Sequence, residues 1–128
     1  ELMDLDDIKK WLSNGMSIGC HTANHFNLKN LDESSKKKEI VEPKFFFKDK
    51  LSYEVNSFSY PYGSYDDQSA KIVKENYKYA VTTNRSRYVP NKFTENKIPR
   101  VPVNNKDNLF KFYIKINTFY EDIKFDEK

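Results

Sequence analysis

The sequence predicts an α/β domain with a largely parallel sheet. Short apolar segments recur at Met16–Gly19, Val55–Ser59, Tyr79–Thr83 and Ile98–Val103, and segments with helical spacing alternate with them. Composition supports a folded chain: 38% of the 128 residues are hydrophobic and 16% aromatic, so there is enough apolar surface for one core. Nothing in the chain signals an internal repeat or a second domain, so residues 1–128 are read as one unit.

The elements follow in order. Asp4 can cap a helix that runs to about Asn14, with Leu5, Ile8, Trp11 and Leu12 on one face and Gly15 placed to end it. Met16–Gly19 reads as a short buried strand. Asn27–Asn30 is a loop. A second helix starts near Asp32 and includes Ile40 and Val41, and Pro43 should break or kink it. Val55–Ser59 is the next strand, followed by a loop at Tyr60-Pro61-Tyr62-Gly63. Asp66 or Asp67 can cap a helix through Ala70, Ile72 and Val73 to about Asn76. Tyr79–Thr83 is a third strand, and residues 84–97 are irregular. Ile98–Val103 is strand-like, bounded by Pro99 and Pro102. Asp107 can cap a last helix through Leu109, Phe110, Tyr113, Ile114 and Ile116.

Charge excludes some partners. The 22 basic and 19 acidic side chains give a net charge of +3, and the lysines are scattered, so nucleic acid is not expected. Lys36-Lys37-Lys38 reads as a solvated helix face. No apolar run approaches the ~20 residues of a membrane span. Cys20 is the only cysteine, so no internal disulfide can form. The chain opens at Glu1 without a signal peptide and reads as part of a longer one.

The two histidines, His21 and His25, lie four apart in Gly19-Cys20-His21-Thr22-Ala23-Asn24-His25, just beyond a strand. If this segment is helical, both imidazoles share a face and can reach one ion. Taken alone, such a pair is more often a pair of ordinary surface or capping residues than of metal ligands. The strand favours ligands, because the C-terminal end of a parallel sheet is where sites are built. Tyr-Pro-Tyr-Gly alone is an ordinary turn. Asp66-Asp67 is better read as a helix cap than as a ligand pair, and Tyr77 and Tyr79 as core and rim.

Gly15-Met16-Ser17-Ile18-Gly19-Cys20-His21-Thr22-Ala23-Asn24-His25-Phe26-Asn27-Leu28 resembles the second motif of the polysaccharide deacetylase family, the NodB-homology or carbohydrate esterase 4 domain. Phe58-Ser59-Tyr60-Pro61-Tyr62-Gly63 resembles its third motif, and Tyr79-Ala80-Val81-Thr82-Thr83 the strand that follows. Ile98-Pro99-Arg100-Val101-Pro102-Val103 resembles the closing segment of the poly-N-acetylglucosamine deacetylase branch. The order and spacing agree over nearly the whole chain.

The resemblance implies the C-terminal portion of a distorted (β/α) barrel, open where early strands are absent, with the site at the C-terminal ends of the strands. It implies hydrolytic N-deacetylation of an N-acetylated polysaccharide at the cell envelope or outside the cell. His21 and His25 would hold a divalent metal, zinc first, with cobalt, nickel or manganese as alternatives. Tyr60, Pro61 and Tyr62 would meet the substrate, and the Tyr62 backbone N–H would stabilise the oxyanion, aimed by Pro61. Arg100 would either orient a carboxylate in the site or be a structural surface arginine.

Three departures stand out. The family's Thr-Phe-Asp-Asp-Gly motif, which supplies the general base and a third ligand, is absent. Met3-Asp4-Leu5-Asp6-Asp7 is no substitute, because it reads as a helix start. The expectation is that the N-terminal part of the domain is missing. Ser59 stands where the third motif usually has Arg, and no histidine follows His25, so the general acid is unassigned. The competing readings are a truncated or degenerate domain that at most binds carbohydrate, and a structural α/β module.

Overall fold

The computed structural model describes residues 3–124. Helix α1, Leu5–Ser13, begins as expected. The Asp4 carboxylate accepts the N–H groups of Asp6 and Asp7 at 2.9 Å, and Asp7 returns a bond to the Asp4 N–H. The chain leaves α1 through Gly15, whose φ of 80° suits glycine. The predicted apolar face is present but uncovered: no residue of α1 is buried, and Trp11 is 47% exposed.

Met16–Gly19 is not a buried strand. Met16 is exposed, and the Ile18 N–H bonds to the Tyr53 hydroxyl rather than to a ladder. Pairing starts only at Cys20, whose N–H donates to Ser57 and whose carbonyl accepts from Ser59, both at 2.9 Å.

Helix α2, Glu33–Leu51, is capped by Asp32 and runs unbroken past Pro43. The expected break does not occur. Proline deprives the Glu39 carbonyl of its helical partner, and the Ala23 N–H, outside the helix, supplies a replacement at 3.1 Å. The solvated Lys36–Lys38 face also needs correction. Lys37 stays on the surface beside Glu33, but Lys36 is 4% exposed and reaches Asp66 at 2.5 Å, because α2 packs against the next helix.

Strands β1, Ser57–Ser59, and β2, Tyr79–Val81, pair in parallel with Phe58 opposite Ala80. Cys20 bridges the free edge of β1, and Ile98 that of β2, both in parallel. Helix α3, Asp67–Asn76, connects the strands, capped by Asp66. The β1–α3–β2 unit is thus the parallel crossover that the alternating pattern implies. Ile98–Val103 pairs with β2 only at that bridge, since Pro99 and Pro102 within it have no N–H to donate.

Helix α4, Leu109–Asn117, is capped by Asn108, not Asp107. Asp107 instead pairs with Lys111 at 2.7 Å and Lys115 at 2.8 Å. A short helix α5, Tyr120–Lys124, follows, which the sequence reading did not anticipate.

The core lies between the sheet and α2 and α3. Phe58 packs on Tyr60 and Tyr77, with ring centroids 5.3 and 5.1 Å apart. Ile40, Val55, Ile72, Val73 and Ala80 fill the space around them. The Tyr77 hydroxyl donates to the Ile40 carbonyl at 2.6 Å, so its burial leaves no orphaned donor.

The Lys36–Asp66 pair makes a pH-dependent contribution. Burial disfavours the Asp66 carboxylate, but bonds from Lys36 and from the Ser69 N–H and hydroxyl outweigh it and hold the carboxyl down at about 2, below its usual 3.8. A depressed folded value gives stability that is full above the usual value and lost as pH falls through the folded one. Lys36→Met should therefore lower stability by about 1–3 kcal/mol at neutral pH. Urea melts should show that deficit shrinking from pH 4 to pH 2; a constant deficit would refute the assignment.

Candidate metal and acyl-group site

The site is built on the C-terminal end of β1 and on the two loops beside it. His21 follows Cys20, so the Cys20–β1 bonds carry the imidazole next to Ser59. His21 Nδ1 lies 2.6 Å from the Ser59 carbonyl oxygen. A carbonyl only accepts, so Nδ1 carries the proton and Nε2 presents its lone pair outward. This arrangement is the one in which a ligand histidine is oriented by a backbone carbonyl.

No helix brings His25 alongside. Thr22 and His25 both adopt the left-handed conformation, φ 66° and 58°, and fold the segment into a tight loop. The His25 N–H donates to Thr22 Oγ1 at 2.9 Å, closing it. The His21 and His25 rings then lie 4.8 Å apart, edge to face. The helical face considered from the four-residue spacing is thus replaced by two positive-φ residues, with the same outcome for the rings.

Tyr62 completes the cluster. Its hydroxyl is 3.2 Å from His25 Nδ1, and its ring lies 4.8 Å from that of His25. Pro61–Gly63 forms a single 3-10 turn in which Tyr62 has φ 59°. The Gly63 N–H closes the turn on the Tyr60 carbonyl at 2.9 Å. Among the described residues the Tyr62 N–H has no hydrogen-bond partner.

The other expected residues divide. Tyr60 and Pro61 are not exposed for substrate contact: both are buried, because the turn folds back onto the core. The Tyr60 hydroxyl donates to the Asn96 carbonyl at 3.0 Å, and burial, with Tyr65 beside it, pushes its phenol pKa up. Tyr62, 66% exposed, is the side chain of this turn that faces solvent. Arg100 Nε donates to the Thr82 carbonyl at 2.6 Å, just beyond β2, and no carboxylate pairs with it among the described residues. It has a structural bond, and no contact joins it to the histidines. Tyr77 is core and Tyr79 exposed, as expected.

Sequence reasoning missed Glu39. Its carboxylate accepts the Asn24 N–H at 2.8 Å and Asn24 Nδ2 at 2.7 Å, between the two histidines. The only signal in the sequence was Pro43, four residues later.

The donor set fits a divalent cation in part. Two imidazoles with engaged Nδ1 atoms would offer two nitrogen ligands, whereas catalytic zinc sites usually have three protein ligands. Among the described residues, no group of three His, Cys, Asp or Glu side chains could complete a site. A cavity of about 250 Å³ beside His21 is lined by Gly19, Cys20, Ser57, Ser59 and Val81. A larger one, about 830 Å³, lies at the opposite end of the strands near Asn56 and Lys78, away from this chemistry.

The histidine pair stands at the C-terminal end of a small parallel sheet, the end at which (β/α) folds place their sites. The sequence signature of the polysaccharide deacetylase family matches residues 3–81, and the chain belongs to that family. A protein of Bacillus subtilis strain 168 named polysaccharide deacetylase YxkH is 29% identical over 79 residues, covering 61% of this chain and 28% of its own. The Streptococcus pyogenes deacetylase PplD, solved in complex with acetate, superposes with a TM-score of 0.82 at 24% identity, covering 90% of this chain and 51% of its own. BC0361, a polysaccharide deacetylase from Bacillus cereus, gives 0.80 at 23%, covering 88% and 36%. The carbohydrate esterase 4 pseudoenzyme BA3943 from Bacillus anthracis gives 0.52 at 22%, covering 56% and 25%. The fold is therefore the partial (β/α) barrel expected, and the chain spans about half the length of PplD and less of the others.

Two outcomes test the geometry. Nitrogen-15 NMR of the metal-free chain at pH 8 should show His21 protonated at Nδ1; an Nε2-protonated ring would remove the Ser59 bond. Gly63 has φ 66°, and a Cβ there would lie 1.9 Å from Thr83 Oγ1. Gly63→Ala should therefore cost about 1–3 kcal/mol, with partial recovery in Gly63→Ala/Thr83→Ala. A melting temperature equal to wild type would show that the turn does not need glycine.

Proposed function

We propose that these residues form the histidine side of a metal-dependent centre that hydrolyses the N-acetyl amide of an N-acetylated polysaccharide. The observation that supports this most is the His21–His25 pair, 4.8 Å apart, with His21 fixed in the tautomer that leaves Nε2 free. A divalent cation bound there would polarise the acetamide carbonyl and acidify a bound water. Zinc suits imidazole ligands with a carboxylate, and cobalt, nickel and manganese are alternatives.

In this reading the Tyr62 N–H donates to the carbonyl oxygen as negative charge develops there. The Tyr62 ring beside His25 forms a wall against which a sugar packs. Water adds to the carbonyl carbon, the C–N bond breaks, acetate leaves, and the nitrogen takes a proton to become a free amine. The aspartate that would act as base and third ligand comes from residues other than those described. Poly-N-acetylglucosamine is the favoured polymer on the likeness of Ile98–Val103 to that branch, which would put the enzyme at the cell envelope. Arg100 would orient a carboxylate if released from Thr82.

A degenerate domain is the second reading. It is favoured by the incomplete ligand set and by the fold's likeness to a pseudoenzyme. Acetate release from N-acetylglucosamine oligomers with Zn²⁺ or Co²⁺ separates the two. The 128 residues alone should show little turnover, because a general base contributes ~10²–10⁴-fold. The same residues within their longest natural chain should turn over, and His21→Ala should abolish it. No turnover by the longest chain on any acetylated sugar polymer would favour the degenerate domain.

A further inference from the structure

Residues Ala23 and Asn24 join the two histidines, and both are tied to one residue of α2. The Glu39 carbonyl accepts the Ala23 N–H at 3.1 Å. The Glu39 carboxylate accepts the Asn24 N–H at 2.8 Å and the Asn24 side-chain amide at 2.7 Å. Glu39 is 6% exposed, whereas Ala23 and Asn24 lie on the surface, so the bonds tie an exposed loop to a buried side chain. The carbonyl bond depends on sequence. In a regular helix the Glu39 carbonyl accepts the N–H of residue 43. Residue 43 is proline, which has none.

We propose that Glu39 is a positioning residue for the His21–His25 loop, and that Pro43 is present to release the Glu39 carbonyl for that task. The inference rests on the metal-site reading above. Glu39 touches neither histidine. It acts through the backbone of Ala23 and Asn24, holding the loop in its left-handed conformation so that both rings stay on one side. Partners of this kind that orient ligands typically change metal affinity 10–100-fold when removed.

The test uses the 128-residue chain with Zn²⁺ and Co²⁺ as probes, and amide exchange and histidine ring NMR without metal. Glu39→Gln puts an amide N–H₂ against one of the two Asn24 donors. It should speed exchange at Asn24, shift the His21 and His25 ring signals, and weaken Co²⁺ binding about tenfold or more. Asn24→Asp with Glu39→Gln reverses donor and acceptor in the side-chain pair and should recover most of the affinity. Pro43→Ala gives the sharper contrast. It restores a helical N–H that competes with Ala23, so the chain should melt at an equal or higher temperature while Ala23 exchanges faster and metal binding weakens. A role confined to helix stability predicts no loss of affinity in Pro43→Ala and no rescue in the double variant; either result overturns the proposal. If the wild-type chain shows no His21-dependent metal binding, the metal reading fails. Unchanged exchange and ring signals in Glu39→Gln then overturn the positioning role independently.

Discussion

Strand β1 is the reference to which every part of the site is fixed. Its three residues bond to Cys20 on one side and to β2 on the other. The Cys20 bonds set where His21 emerges, and the Ser59 carbonyl sets which nitrogen its ring protonates. Two residues further, the chain turns through Pro61 and brings Tyr62 to His25. The buried rings of Phe58 and Tyr60 anchor this strand to the core, so a small parallel ladder serves as a rigid base for loops that carry chemistry.

The legible part of this fold was local and chemical. Capping residues at Asp4, Asp32 and Asp66 marked helix starts correctly, because an N-cap is a bond between near neighbours. The motifs at His21–His25 and Tyr60–Gly63 picked out two segments that the fold brings side by side. Apart from the α4 cap, which is Asn108 and not Asp107, what failed depends on contacts distant in sequence. Lys36 looked solvated because its partner Asp66 lies 30 residues away. Pro43 looked like a helix breaker because the N–H that replaces its missing one belongs to Ala23. Tyr60 and Tyr62 are equivalent in pattern, yet one fills the core and the other the surface. Glu39 is an ordinary glutamate in a polar helix until the loop lands on it.

Apolar residues left uncovered tell a consistent story about packing. Leu109, 87% exposed, and Phe110 on α4, with Trp11 on α1 and Met16, form faces that nothing among the described residues covers. The known structures of this fold are longer, and the chain spans 51% of one and 36% of another. The core around Phe58 is closed on the α2–α3 side of the sheet, whereas Gly19, Ser57, Ser59 and Val81 line an open cavity on the site side.

Backbone strain and buried bonding meet at the histidine loop. A β-branched residue with positive φ is a genuine outlier, and Thr22 is one; His25 and Tyr62 share the left-handed region. Each such residue costs about 1–3 kcal/mol when nothing compensates. Around this loop the compensation is visible: Thr22 Oγ1 takes the His25 N–H, Glu39 takes two bonds from Asn24, and the helical carbonyl freed by proline takes a third from Ala23. A helix across residues 21–25 would have avoided the strain, but its first four N–H groups would have had no partner within it. The loop instead spends its backbone donors on α2 and Thr22, so its fold is held by bonds that the imidazoles do not make. The rings add one contact each, His21 Nδ1 to the Ser59 carbonyl and His25 Nδ1 to the Tyr62 hydroxyl, and neither Nε2 has a partner among the described residues.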